Sequence, residues 1–350
     1  MPVQSDISSC AVTGHELDVY HMAEGKIITM KSIIHLTTAL ALGNFAWSAP
    51  LDTQIVADDA KWLAHLDMQA LKDSMIGGFA LARVKEEIAK ENDTPISIDI
   101  DLVAEELHSV TAYGTSFDKE PDKNSVLIVR TGPRARSIID VYIASMEMEQ
   151  EGKTGIKRLD DKAHDTYLIG NEVYASFLRD DLWVSSKSYD QIEKAQRVIE
   201  GDSGNLEESD SELLIKRGAG FFFLATANGL DSIGEVPAQA KILQKAKGGQ
   251  LGLGERGEMF RANLALSTPD AEVSSQLSRI IQGMVALASF AEVGNESLNT
   301  LMNNLDVEET DRYVSFNIEY PVVGLLNILQ ALEDQKDSEE SEVPVANEEA

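Results

Sequence analysis

The chain has 350 residues, 43% of them hydrophobic, with 59 acids against 30 bases and a net charge of -29. That length suits about two domains of ordinary size, and the hydrophobic share argues for a folded chain that builds its core without staples. The single cysteine, Cys10, excludes an intramolecular disulfide, and the acidity disfavours nucleic acid and anionic membrane surfaces, which are held by clustered Lys and Arg.

Residues 1–29 show no sustained period and read as an upstream start outside the true protein or as unstructured chain. Met30-Lys31, followed by SIIHLTTALALGNFAW (Ser32 to Trp47), then has the basic start and apolar run of a secretory signal peptide. Ala46-Trp47-Ser48 places small residues where a signal peptidase needs them, so cleavage is expected between Ser48 and Ala49, with residues 30–48 removed. The run is too short, and too often interrupted by Thr, His and Asn, to span a membrane. The most apolar later helix, Val273 to Val293, carries Arg279, Gln282 and Glu292. The expected product is therefore a bacterial protein, secreted or periplasmic, without a transmembrane span after signal removal. Residues 1–48 hold four acids and two bases, so the exported part still carries -27 and export does not explain the charge.

Behind the signal the chain falls into two halves, each opened by a copy of one pattern. AKWLAHLDM (Ala60 to Met68) returns in degenerate form as FFFLATANG (Phe221 to Gly229), with Trp62-Leu63-Ala64 matching Phe223-Leu224-Ala225 and Asp67 matching Asn228. Each copy reads as a buried strand that runs into a helix, with a small polar residue at the N-cap. Alternation puts Trp62, Ala64, Leu66 and Met68 on one face and Leu63, His65 and Asp67 on the other.

In the first half, residues 49–211, Leu71, Met75, Phe79 and Ala82 make a helical stripe with a kink expected at Gly77-Gly78. Leu107 to Phe117 and Ser125 to Arg130 read as a hairpin, and Pro133 introduces a helix through Met148. Strands follow near Thr166 to Ile169, Val173 to Arg179 and Leu182 to Ser186, with turns at Gly170-Asn171 and Asp180-Asp181. The helix Tyr189 to Ile199 closes the half, with Gly201 as its C-cap. The polar, turn-rich run 201–211 marks the boundary.

The second half, residues 212–332, repeats that order in shortened form. The strand Phe221 to Thr226 leads to a helix at Ala238 to Lys247, strands Gln250 to Glu255 and Met259 to Leu266, and a long helix from Ala271. A short helix at Leu298 to Leu305, a strand Tyr313 to Glu319 and a helix Val322 to Leu332 complete it. Residues 333–350 hold eight acids and one Lys, the composition of a disordered acidic tail.

The stretches DDAKWLAHLDMQALKDS, LHSVTAYG, VYASFLRDDLWVSS, FFFLATANGL and QGMVALA together resemble a group of exported proteins from planctomycete and verrucomicrobial bacteria. The resemblance covers nearly all of the mature chain and lies in core and turn residues. It implies export, a two-part α+β build and no assigned biochemistry, so it transfers no active site.

Chemistry-bearing residues are scattered. His65, His108 and His164 each stand alone in their segments, and no HExxH or comparable zinc spacing occurs. Asp67 shares a strand face with His65, but its match is Asn228, a residue able to cap equally well and unable to do acid-base work, which points to capping. There is no GxSxG nucleophile pattern. Gly248, Gly249, Gly252 and Gly254 lack the GK[ST] ending of a phosphate loop and alternate as strand residues do. Asp99 and Asp101 are expected on one face of an extended segment, Asp160, Asp161 and Asp165 in a loop, and Asp180-Asp181 in a turn. None matches a calcium loop. No catalytic, cofactor-binding or metal-ligating residue is assigned, and no cofactor is expected.

The expected fold is α+β: two tandem related domains, each an antiparallel sheet with helices packed on one face. The expected function is that of an exported, non-catalytic binding or cell-envelope-associated protein with a protein partner there, more readily than an enzyme. The alternatives are an exported hydrolase working through two carboxylates that converge from separate segments, and a calcium-dependent adhesion or structural protein.

Overall fold

The computed structural model describes residues 49–90, 100–117, 121–149, 155–211, 213, 220–233, 244–290, 300 and 304–341. The expected upstream segment 1–29 and signal peptide 30–48 lie outside the described residues, as does Asp99.

Twelve strands form one mixed-class α/β architecture with a large antiparallel sheet. They are β1 (Trp62–Asp67), β2 (Leu107–Gly114), β3 (Ser125–Thr131), β4 (Ile156–Leu159), β5 (Asp165–Ile169), β6 (Val173–Arg179), β7 (Leu182–Ser186), β8 (Phe221–Asn228), β9 (Gly248–Arg256), β10 (Met259–Ser267), β11 (Leu305–Glu309) and β12 (Tyr313–Pro321). The described helices are α1 (Met68–Lys72), α2 (Met75–Lys90), α3 (Ile100–Glu106), α4 (Ala135–Glu149), α5 (Tyr189–Ile199), α6 (Ala271–Phe290) and α7 (Val322–Ser341). Among them, none is long and apolar enough to cross a membrane.

The two matched copies meet at the middle of this sheet. β1 pairs antiparallel with β8, Ala64 opposite Ala225, and the strand order runs β11-β12-β10-β9-β8-β1-β2-β3-β7-β6-β5-β4. Read outward from that join, β1-β2-β3-β7-β6 and β8-β9-β10-β12-β11 visit their strands in the same sequence order, and the first half continues into the hairpin β5-β4. The expected boundary at 201–211 therefore separates the halves along the chain while backbone hydrogen bonds join them in space. The described residues fall within one compact unit.

The expectation that each half packs its helices on one sheet face fails in the first half and holds for the described helices of the second. In the first half, Leu63, Tyr113, Ile128 and Val184 are buried against Ile192 and Ala195 of α5, together with Leu51, Ile55 and Val56 from the lead-in to β1. In the second half, Leu266, Val314 and Phe316 are buried against Leu277 of α6, with Val273 and Ile281 beside it. Residues directly opposite in a ladder share a face. Tracing Leu63 to Thr226, Gln250, Ala265 and Ser315 puts Ser315 on the Leu63 face, and hence Val314 and Phe316 on the other. The two cores lie on opposite faces. α4 shares the Phe316 face, because its Arg136 guanidinium stacks 4.4 Å from the Phe177 ring, and Phe177 pairs with Trp183, next to Val184. α7, which follows β12 directly, begins against Tyr320 and runs to α2, where Arg83 Nη2 donates to Gln330 Oε1 at 2.5 Å.

Local chemistry accounts for the element ends. Gly170 and Asn171 take positive φ (both 62°) in the β5–β6 turn, and Gly201 (82°) ends α5 as expected. The expected kink falls at Asp73-Ser74, between α1 and α2, and Gly77 is there because a Cβ would collide with the Leu71 carbonyl at 1.8 Å. Asp101 sits in the first turn of α3 rather than in an extended segment; an acid there suits the helix dipole, and Lys85 pairs with it. The helix expected at Ala238 to Lys247 and the one at Leu298 to Leu305 fall largely outside the described residues, and Leu305 opens β11. α7 continues through Ser341 where a disordered tail was expected from residue 333. Its apolar first turns nucleate the helix, and Glu, Asp, Gln and Lys extend it at small cost.

Candidate functional site

The residues singled out in the sequence are mostly absorbed by structure. His65 lies on β1, 5% exposed, with Nε2 3.0 Å from the Ala49 carbonyl and Nδ1 2.9 Å from Thr111 Oγ1. A carbonyl only accepts, so Nε2 carries the proton and Nδ1 accepts from the threonine hydroxyl. Burial lowers the pKa of His65 from its usual value, against the opposing pull of the Ala49 carbonyl and Asp67, while Arg130 adds to the lowering. The imidazole is thus neutral and spent on two buried hydrogen bonds. Asp67 accepts from the Ala70 backbone N–H at 2.9 Å as the N-cap of α1, and Asn228 accepts from Gly229 N–H at 2.9 Å in the corresponding turn.

His108 and His164 are not brought to His65: His108 sits at the irregularity of β2 between Leu107 and Ser109, the latter opposite Asp67, and His164 precedes β5. Asp165 is on β5, bound by Arg136 at 2.7 Å and Arg158 at 2.6 Å, and these guanidinium partners hold its carboxyl below the usual range. Asp160 and Asp161 sit in the preceding turn beside Arg158 (3.5 Å) and Lys162 (3.4 Å). Asp181 pairs with Arg179 at 3.2 Å in the β6–β7 turn, beside Asp180. Among the described residues no group of three metal-ligating side chains gathers. A further buried acid, Glu106, escaped notice in the sequence. Arg134 clamps it, Nε donating to Oε1 at 2.7 Å and the backbone N–H to Oε2 at 2.8 Å, which outweighs burial and lowers its pKa.

A second set of polar side chains, paired mainly with one another, converges on the Leu63 face of the second half. Because α7 turns to the other side of the sheet, β9, β10, β12 and β11 present two adjacent rows of polar residues there. The first row runs from Gly252 to Asn263, Asn317 and Asp306, directly opposite one another in turn. The second runs from Gly254 to Arg261 and Glu319, with Asn304 just before the start of β11. They line a recess of about 400 Å³ with Phe221 at one side.

The geometry within the recess is specific. Asn263 Nδ2 donates to Asn317 Oδ1 at 2.6 Å, so each amide keeps its other polar atom for a further partner. Arg261 Nε lies 2.8 Å from Glu319 Oε1, both groups partly exposed. A Cβ on Gly252 would lie 2.9, 3.1 and 3.1 Å from three consecutive ring atoms of Phe221. Such near-equal distances place the glycine under the face of the ring, not at its edge. The glycine expected only as a strand residue is thus what lets an aromatic ring lie flat on the sheet. A second recess, of about 390 Å³, lies between Asp58, Asp59 and Lys61 before β1 and Asp210 near the half-chain boundary.

No family model matches the chain, and no curated protein matches it. Among solved structures, crystal form I of TP0453 is similar over 82% of this chain and 99% of that one, with 12% identity and a TM-score of 0.43. Crystal form III of TP0453 is similar over 81% of this chain and 99% of that one, with 12% identity and a TM-score of 0.47. Likeness at that level assigns neither a fold family nor a function.

Proposed function

We propose that the chain is an exported, non-catalytic binding protein that takes a polar ligand on the open face of β9, β10, β12 and β11. One observation carries the reading: two rows of amide, carboxylate and guanidinium side chains line a recess of about 400 Å³ on a sheet face. A core-forming sheet covers such a face with a helix, and a recess lined with convergent polar groups is the usual form of a ligand site. Export is supported by the basic start at Met30-Lys31, the apolar run to Trp47 and the small residues before Ala49. Ala49, the first residue after the expected cleavage, is held in place by His65. The test is equilibrium dialysis of the chain against the small-molecule fraction of a bacterial envelope extract, read by mass spectrometry, beside an Asn317→Lys variant whose side chain fills the recess. A compound retained by the native chain and released by the variant supports the reading; equal retention by both, or none, rejects it.

The same recess gives a second reading, an exported hydrolase. Asp306 and Glu319 come from neighbouring strands at diagonal positions on one face, two carboxylates from separate segments as paired-acid hydrolysis needs. Glu319 is ion-paired with Arg261, a poor arrangement for a general acid, which favours binding over cleavage. Release of reducing ends from an oligosaccharide, abolished by Asp306→Asn, would reverse that preference.

We also read the chain as two tandem related domains joined edge to edge through β1 and β8. The matched copies Trp62 to Asp67 and Phe223 to Asn228, together with the repeated strand order, support descent from one duplicated unit. The hairpin β4–β5 is then an addition to the first copy.

A further inference from the structure

We infer that the ligand of this face is a neutral linear oligosaccharide lying across the strands, an inference that rests on the binding reading above. Three features of the recess point to that class. The first is its shape. The row that starts under the Phe221 ring and ends at Asp306 crosses four neighbouring strands, three steps of about 4.8 Å each, or about 14 Å end to end. The second row lies about 7 Å along the strands, so the platform is longer than it is wide and suits two or three linked rings, not a compact metabolite.

The second feature is its donor and acceptor balance. Asn263 and Asn304 keep a carbonyl oxygen to accept and Asn317 keeps an amide nitrogen to donate, their other polar atoms being engaged with Asn317, Thr300 and Asn263 in turn, while Arg261 only donates and Asp306 and Glu319 only accept. Hydroxyl groups both donate and accept, and a row of vicinal hydroxyls meets such a mixed array without leaving a group unpaired. The lining carries one positive and two negative charges on a chain of net -29, a field that repels phosphate, sulfate and uronate groups. The third feature is Phe221. Its ring lies over Gly252 and lines the recess, and a pyranose presents a face of C–H groups that packs on the negative face of an aromatic ring. The predicted pose stacks one sugar on Phe221 and leads the next across Asn263 and Asn317 to Asp306.

The test is calorimetric titration of the chain with cellohexaose, maltohexaose, laminarihexaose and chitohexaose, beside a hexauronate of equal length and inorganic phosphate. The expected result is binding of at least one neutral hexasaccharide, weakened about tenfold by Phe221→Ala and retained by Phe221→Tyr. Asp306→Asn, on an exposed edge strand where the fold does not depend on it, is expected to weaken the same sugar with an unchanged melting temperature. Binding of the hexauronate or of phosphate in place of any neutral sugar, lost in Asn317→Lys, overturns the ligand class and leaves the binding reading standing. No binding of any neutral hexasaccharide at millimolar concentration overturns the inference, and the dialysis against Asn317→Lys then decides the binding reading separately.

Discussion

Leu63 and Leu66 are three residues apart on the central strand, and the account requires that they contribute very differently. Leu63 is 1% exposed and packs among Tyr113, Val126, Ile128, Val184, Ile192 and Leu224, whereas Leu66 is half-buried on the opposite face. Truncating a buried leucine to alanine costs about 3–5 kcal/mol, the upper part of that range where the surroundings cannot collapse. β1 is hydrogen-bonded on both sides, by β2 and β8, so its backbone cannot move to fill the void. Leu63→Ala is therefore expected to cost about 4 kcal/mol and Leu66→Ala about 1–2 kcal/mol, the latter scaled to its smaller buried area. The assay is urea unfolding followed by tryptophan fluorescence, comparing midpoints at equal slope. A Leu66→Ala cost equal to or above that of Leu63→Ala would refute the assignment of the first core to the Leu63 face.

His65 supplies a pH dependence whose sign is determined. Its folded pKa lies below the unfolded value, so its contribution is complete above about pH 6.5 and is lost as pH falls from there toward the folded pKa; His65→Gln should flatten the melting temperature in that window. Glu106 acts lower: with its folded pKa depressed by Arg134, its contribution is present above the usual carboxyl pKa and lost as pH falls through the folded value, and Glu106→Gln should abolish that acid limb. Gly252→Ala places a Cβ 2.9 Å from the Phe221 ring, so the ring must lift; ligand binding should drop while the unfolding midpoint shifts little, and unchanged binding would contradict the stacking role.

Much of the scaffold was legible because the responsible signals are local. The alternation within Ala60 to Met68 located β1, although Met68 opens α1 instead of extending the strand, and the turn Gly170-Asn171 and the helix Tyr189 to Ile199 fall where expected. The hydrophobic period failed where strands sit at the sheet's two edges. β4, IKRL, and β11, LDVEE, carry charge on both faces, as edge strands do to resist pairing with other chains, and so resemble loops. Which face each core occupies was not legible, because alternation fixes only which residues lie together within one strand, and relating the halves needs the β1–β8 register. The candidate site was hidden for the same reason: Phe221, Gly252, Asn263, Asp306 and Asn317 are brought together by ladders between separate strands. A usable signal existed in β10 and β12, where Arg261 and Asn263 alternate with Ala262 and Leu264, and Ser315, Asn317 and Glu319 with Phe316 and Ile318. That pattern marks a polar sheet face that no described helix covers.

The most direct test of the open face needs no ligand. In a Cys10→Ser background, Asn317→Cys and Phe316→Cys place single thiols on adjacent residues of β12 that point to opposite faces. The account predicts that a maleimide modifies the thiol at 317, where Asn317 is half-buried, in the native chain far faster than the thiol at 316, which lies under α6 where Phe316 is 5% exposed and is protected. Protection at both positions would mean that the polar face is roofed, and rapid modification at 316 alone would mean that the register of β12 is wrong.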